Sequence, residues 1–224
     1  MKKVNARLLF TGAGLLAAFL LWTLLLGIVD RQAIGPCGTV VGFATLNGYV
    51  HRLTGVHMSL YTVTDWLGLV PIGVAFGFAV LGLVQWIKRK SLGKVDRRIL
   101  ALGGFYLAVM AVYLLFEAVI INYRPILIMG HLEASYPSST TMLVMCVMPS
   151  AAVELNARIK RSLFRKCLSL PVWVFIVFMV TGRLVSGVHW VTDIIGGTLF
   201  SAGLVMFFYA FEIERTVPRA KNHL

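Results

Sequence analysis

Apolar residues run along this chain in long, nearly unbroken blocks, and polar residues collect in the gaps between them. The blocks cover about residues 8–29, 65–87, 99–122, 139–156, 168–183 and 189–211. A helix needs about 20 apolar residues to cross a bilayer core. The pattern therefore predicts an all-α membrane bundle of six spans, folded as a single domain over 1–224. The first block follows the basic head MKKVNARLL. It is too long for a signal-peptide core and no small-residue cleavage site follows, so an uncleaved span is expected. After the Gly35-Pro36 breaker, Val40, Val41, Phe43, Ala44, Leu46, Val50 and Leu53 recur at roughly helical spacing. That spacing predicts an amphipathic helix lying in the extracytoplasmic interface between the first and second spans. His51 and His57 within it read as hydrogen-bonded interfacial residues. Pro71 stands near the start of the second block, where proline costs least. The cluster Pro137 to Thr141 opens the fourth block, with hydroxyl side chains suited to capping a helix.

Composition agrees with a membrane protein. Charged residues make up 13% of the chain, about half the share usual in soluble domains, and the mean hydropathy is +0.84. The net charge of +12 would suggest nucleic acid in a soluble protein, so its distribution matters more than its sum. Basic residues crowd the head (Lys2, Lys3, Arg7), the second-to-third loop (Lys88 to Arg98), the fourth-to-fifth loop (Arg158 to Lys166) and the tail (Arg215, Arg219, Lys221). Of the 21 lysines and arginines, only Arg31, Arg52, Arg124 and Arg183 fall on the other side. By the positive-inside rule both termini are expected in the cytoplasm of a cell (plasma or inner) membrane. Topology and anionic lipid account for the charge, and no nucleic-acid partner is implied. Cys37, Cys146 and Cys167 form no pair with disulfide or zinc-site spacing.

The candidate chemistry lies in GRLVSGVHWVTDIIGG, which spaces Arg183, His189 and Asp193 as R-x5-H-x3-D. Ionisable groups at membrane depth must pair or line a wet cavity. His189 and Asp193 are four apart, one helical face, where a carboxylate can fix the tautomer of an imidazole that acts as nucleophile or base. A helix-start histidine bonded to a structural aspartate fits this triplet equally well. The topology adds Arg124 and the Pro137–Thr141 hydroxyls on the same extracytoplasmic side. Two arginines, a helix N-terminus and a histidine–aspartate pair together suit a phosphate: charge neutralisation, orientation and an attacking atom.

Arg124-Pro125, Pro137-Ser138-Ser139 and Arg183-x5-His189-x3-Asp193 resemble, in order and spacing, the three motifs of the type 2 phosphatidic acid phosphatase (PAP2) family, kin of the vanadium haloperoxidases. The resemblance covers roughly residues 117–197. It implies a six-span lipid phosphatase with no metal or other cofactor. His189 would attack phosphorus and form a phosphohistidine, and Asp193 would orient it. Arg124, Arg183, Ser138, Ser139 and Thr140 would hold the phosphoryl oxygens. Two positions depart from the family pattern: Glu117 stands where the family has lysine, and Thr140 where it has the histidine that protonates the leaving group. Threonine cannot serve as a general acid near neutral pH, a role typically worth 10²–10⁴-fold. Glu117 is expected to pair with Arg124 or Arg183, or to stay protonated as a donor.

Those substitutions leave three readings. An active lipid phosphatase could take its proton through water from His131, Glu133 or Tyr136. It could also act on a lipid diphosphate such as a polyprenyl diphosphate, whose phosphate leaving group departs without help. Alternatively, the chain keeps the pocket as a lipid-phosphate binder with impaired chemistry, or passes the phosphoryl group to an acceptor as a phosphotransferase. A transporter is disfavoured, because the charges gather at one face. In each surviving case the partners are the bilayer and a membrane lipid carrying a phosphate or diphosphate, and the oligomeric state is left open.

Overall fold

A computed structural model describes residues 2–159 and 162–216, and among these the chain is helical, with only isolated β-bridges. The helices are α1 (Lys2–Leu26), α2 (Ala44–Thr54), α3 (Met58–Leu67), α4 (Leu69–Arg89), α5 (Arg97–Ala118), α6 (Ser139–Arg158), α7 (Ser162–Val185) and α8 (Val191–Thr216). Several ends follow from local chemistry. Asp96 caps α5 by accepting the Arg98 amide at 3.0 Å. Ser138 caps α6 through the Thr141 amide, as the hydroxyl cluster predicts. Lys90 ends α4 in the left-handed conformation that commonly closes helices.

Among the described residues, five helical stretches are long and apolar enough to cross a membrane: Val4–Leu26, Met58–Arg89, Arg97–Ala118, Ser139–Arg158 and Val191–Glu212. The apolar part of α7, Ser169–Val185, is shorter. The second stretch starts seven residues earlier than the hydropathy pattern implies. Gly68 stays helical (φ −60°, ψ −20°), so α3 runs into α4. Thr64 does not stop the helix because its hydroxyl bonds the carbonyls of Leu60 and Tyr61, both at 2.9 Å. Conversely, α5 stops at Ala118 instead of 122, since Asn122 is drawn into contact with Ser135 and Asp193. The helix expected from 189 begins at Val191.

α6 and α8 form the centre, each about half buried, while α1, α4 and α5 turn most of their apolar surface outward. Phe10, Leu24, Phe76, Ile87 and Leu107 lie on that outer face, the surface a bilayer would cover. α8 packs along α1 and α6, and Phe19, Tyr136, Met142 and Phe200 make a core where these elements meet.

Two glycines of the 182–197 stretch permit the close approaches that shape the site. A Cβ on Gly196 would lie 2.4 Å from the Tyr136 ring, so the ring lies directly on α8. Gly187 has φ +69°, and a Cβ there would come within 1.9 Å of the Gly55 carbonyl oxygen. Gly187→Ala is therefore expected to cost about 2–4 kcal/mol, from backbone strain plus overlap with a backbone atom. Thermal unfolding in detergent would show this as a lowered midpoint; an unchanged midpoint would mean that the link at 187 relaxes freely.

Candidate active site

His189 sits in the short link between α7 and α8, not on a helix. Its position is set by bonds around it. The Trp190 backbone N–H donates to Asp193 Oδ2 at 2.9 Å, the reciprocal bond of a capping box at the start of α8. Trp190 Nε1 donates to the Tyr123 carbonyl at 2.8 Å. The Ser186 hydroxyl donates to the Arg183 carbonyl at 2.8 Å, and the Ser186 carbonyl accepts the His57 amide at 3.0 Å. His51 Nε2 lies 3.1 Å from the Gly187 carbonyl, and His57 Nε2 lies 2.8 Å from that of Thr54. Both histidines thus bond backbone carbonyls.

The segment 122–138 supplies the other wall. Arg124 N bonds Glu133 O, and Ser135 N bonds Asn122 O, making a short antiparallel ladder. Its turn, Ile128 to His131, has positive φ at Met129 and Gly130, the geometry of a two-residue hairpin. The Ser138 amide donates to the Asp193 carbonyl at 3.2 Å, which joins the start of α6 to the start of α8. Asn122 Nδ2 reaches Asp193 Oδ1 at 3.5 Å.

At the centre, His189 Nε2 lies 3.3 Å from Arg183 Nη2. His189 Nδ1 and Asp193 Oδ2 are 3.8 Å apart, too far for a hydrogen bond. Ser135 Oγ stands between them, 3.0 Å from Nδ1 and bonded to Oδ2. Arg183 is 1% exposed; it lies 5.0 Å over the Tyr61 ring and 3.7 Å from Asp65 Oδ1. Glu133 Oε2 comes within 3.1 Å of Arg124 Nε, but off the N–H axis. Nε and Nη1 of both arginines are buried and have no hydrogen-bond acceptor. A buried donor left unsatisfied costs about 1–3 kcal/mol, more when charged. The four belong to two arginines whose charges both act on His189, and donors of this kind suit the oxygens of an anion.

Burial, followed by the positive charges of Arg124 and Arg183, pushes the His189 pKa well below its ordinary 6.5. The imidazole is therefore neutral, with a lone pair to use, throughout the neutral range. The sign is testable. A depressed pKa keeps the neutral form as pH falls through 6.5, and protonation removes it only at lower pH. If a phosphate-bearing substrate is turned over at His189, kcat/KM corrected for that substrate's second pKa of about 6 should show no inflection at 6.5 that belongs to the enzyme. An enzymic acid limb centred there would contradict this environment for His189.

No protein-family model matches the chain. A stretch of 89 residues is 34% identical to phosphatidylglycerophosphatase B of Bacillus subtilis (strain 168), covering 39% of this chain and 43% of that relative, so less than half its length is matched. The crystal structure of a transmembrane PAP2-type phosphatidylglycerolphosphate phosphatase from Bacillus subtilis superposes with a TM-score of 0.56. That superposition covers 95% of this chain and all of the other, at 20% identity. The chain has the PAP2-type fold. With that fold and its apolar helices, it is an integral membrane protein.

The residues that resemble the PAP2 motifs fall in different settings. Arg183, His189 and Asp193 are buried together, and Arg124 lies near enough for its charge to act on His189. Ser138 is wholly buried and its oxygen caps α6 and accepts the Thr141 hydroxyl at 3.0 Å; Ser139 and Thr140 follow on the first turn, half-buried. Glu117 is exposed on the last turn of α5 and bonds Tyr113, while Arg124 and Arg183 meet Glu133 and Asp65 instead. His131 is exposed at the hairpin turn. The Tyr136 hydroxyl lies 2.7 Å from Thr23 Oγ1 on α1, and its ring packs with Phe19 and Phe116, so it serves the core. Sequence reasoning missed Ser135, Asn122, Tyr61 and Asp65. Ser135 had a weak signal, lying two residues before the Pro137-Ser138 pair; the others carried none.

Proposed function

We propose that this chain is a membrane lipid-phosphate phosphatase of the PAP2 type, hydrolysing a lipid phosphomonoester or diphosphate through a phosphohistidine at His189. The observation that carries this is the set of unpartnered Nε and Nη1 groups of Arg124 and Arg183, two arginines whose charges act on a buried, neutral histidine. In this reading the arginines bind the equatorial phosphoryl oxygens. Phosphoryl oxygens would displace Glu133 and Asp65 from them. The Nε2 lone pair forms the N–P bond while the P–O bond to the lipid breaks, and that electron pair leaves on the lipid oxygen. Water then attacks phosphorus, releasing phosphate and restoring the imidazole.

The reading extends to the whole chain, residues 1–224, as one membrane domain. Counting α7, six helices cross the bilayer, and α2 lies in the interface between the first two. Both termini are cytoplasmic in a cell (plasma or inner) membrane, which matches the basic residues of the α4–α5 link. The site then opens on the extracytoplasmic side.

Thr140 bears on the substrate. Without a histidine there, an alkoxide leaving group has no general acid, whereas the leaving group of a diphosphate is a lipid phosphate, and a phosphate has its second pKa at about 6. The similar phosphatases make phosphatidylglycerophosphate the natural monoester to compare. Purified protein should release phosphate from a panel holding phosphatidylglycerophosphate, phosphatidate and a polyprenyl diphosphate, and be fastest on the diphosphate. Equal or faster turnover of the monoesters would overturn the leaving-group argument. Silence on every substrate, with lipid-phosphate binding retained, would favour the binder reading, and a phosphorylated acceptor in place of free phosphate would favour the phosphotransferase.

A further inference from the structure

We propose that Ser135 is a positioning residue for His189: its hydroxyl relays between the imidazole and Asp193 and fixes the ring with its proton on Nδ1. The inference rests on His189 being the nucleophile. It departs from the simpler picture in which the aspartate holds the histidine directly, because the two are 3.8 Å apart and the serine oxygen lies between them.

Proton counting decides the direction. A hydroxyl has one proton and can accept in addition. Asp193 Oδ2, as a carboxylate oxygen, only accepts, so the Ser135 proton points to it. The face of Oγ toward His189 is then an acceptor, and Nδ1 must donate. The opposite nitrogen gives the same answer independently. Nε2 is 3.3 Å from Arg183 Nη2, and a guanidinium only donates, so Nε2 must carry the lone pair. Both sides of the ring therefore require one tautomer, with the nucleophilic nitrogen on the arginine side. When Nε2 bonds phosphorus the ring becomes an imidazolium. Its Nδ1 proton stays in place, and its charge is met by the serine oxygen and the carboxylate beyond, so no proton needs to leave.

The hydroxyl is not needed to hold the loop. Ser135 is already tied through its backbone amide to the Asn122 carbonyl at 2.9 Å, and the Arg124–Glu133 backbone bond closes the same ladder. Asp193 keeps the Trp190 amide and Asn122 as partners when the serine oxygen is gone. Ser135→Ala should therefore fold, with a thermal midpoint close to wild type, while Ser135→Thr keeps an oxygen at the same place.

The test uses the full chain in detergent with labelled histidine. Heteronuclear NMR should show His189 with its proton on Nδ1 in the wild type, and a mixture or the other tautomer in Ser135→Ala. Kinetically, Ser135→Ala should lower kcat by about 10²–10³-fold with little change in KM, and Ser135→Thr should restore most of it. A wild-type ring protonated on Nε2, or an alanine variant that keeps both the tautomer and kcat, would overturn the proposal. The NMR result stands without any turnover, so a chain that hydrolyses no lipid still decides it, and the failure of the phosphatase reading is seen separately.

Discussion

Replacing His189 with alanine is expected to lower phosphate release by on the order of 10⁵-fold or more, the scale seen when a nucleophile is removed from a covalent mechanism. The size follows from what the imidazole does in the proposed site. It is the neutral group whose Nε2 lone pair faces Arg183, and its removal leaves only binding and charge neutralisation. Stability should change much less. His189 lies in the link before α8, and the bonds that shape that link belong to Trp190, Asp193 and Ser186. The alanine variant should thus keep its melting midpoint and its affinity for a lipid phosphate. Assay of phosphate release, paired with a binding measurement, checks both halves. Activity that survives the substitution would move the nucleophile elsewhere.

The second large effect is expected at Arg183. Arg183→Lys keeps the charge but loses the planar fork, with two donors now unpartnered and a third on His189 Nε2. An ammonium at that depth cannot reach the phosphoryl oxygens and the histidine together, and it loses the guanidinium packing over Tyr61. A fall in kcat/KM of about 10²–10³-fold is expected, comparable to removing one oxyanion donor, carried mainly by kcat. Arg124→Lys should show a smaller loss, because Arg124 is less buried and has Glu133 beside it. Steady-state kinetics on the two variants would settle the order; equal kinetics for Arg183→Lys and wild type would show that the fork is not used.

Much of the architecture was legible because hydropathy and charge are long-range averages. Apolar blocks marked the helices, and Arg124 and Arg183 stood out as basic residues lying outside the basic head, links and tail. The cap at Ser138 was readable from its side-chain chemistry alone. Helix ends were less so. The continuation of α3 into α4 depends on Thr64 satisfying its own hydroxyl, and the early stop of α5 depends on Asn122 finding partners 13 and 71 residues away. Within the candidate site, R-x5-H-x3-D identified which residues meet but not how. A four-residue spacing suggested one helical face, whereas the helix starts only at Val191 and Asp193 turns back to cap it. Ser135, Asp65 and Glu133 take their places through tertiary contacts that no local pattern encodes. Tyr136 looked available to chemistry because it sits in a polar run, but its ring is committed to Phe19, Phe116 and the surface of Gly196.

The most direct measurement is a rapid-quench experiment with a substrate radiolabelled in the transferred phosphoryl group. The account predicts a label on the protein that is acid-labile and stable to alkali, maps to the peptide containing His189, and forms no slower than turnover. Phosphate released at the full rate with no label trapped, or a label on any other residue, would contradict it.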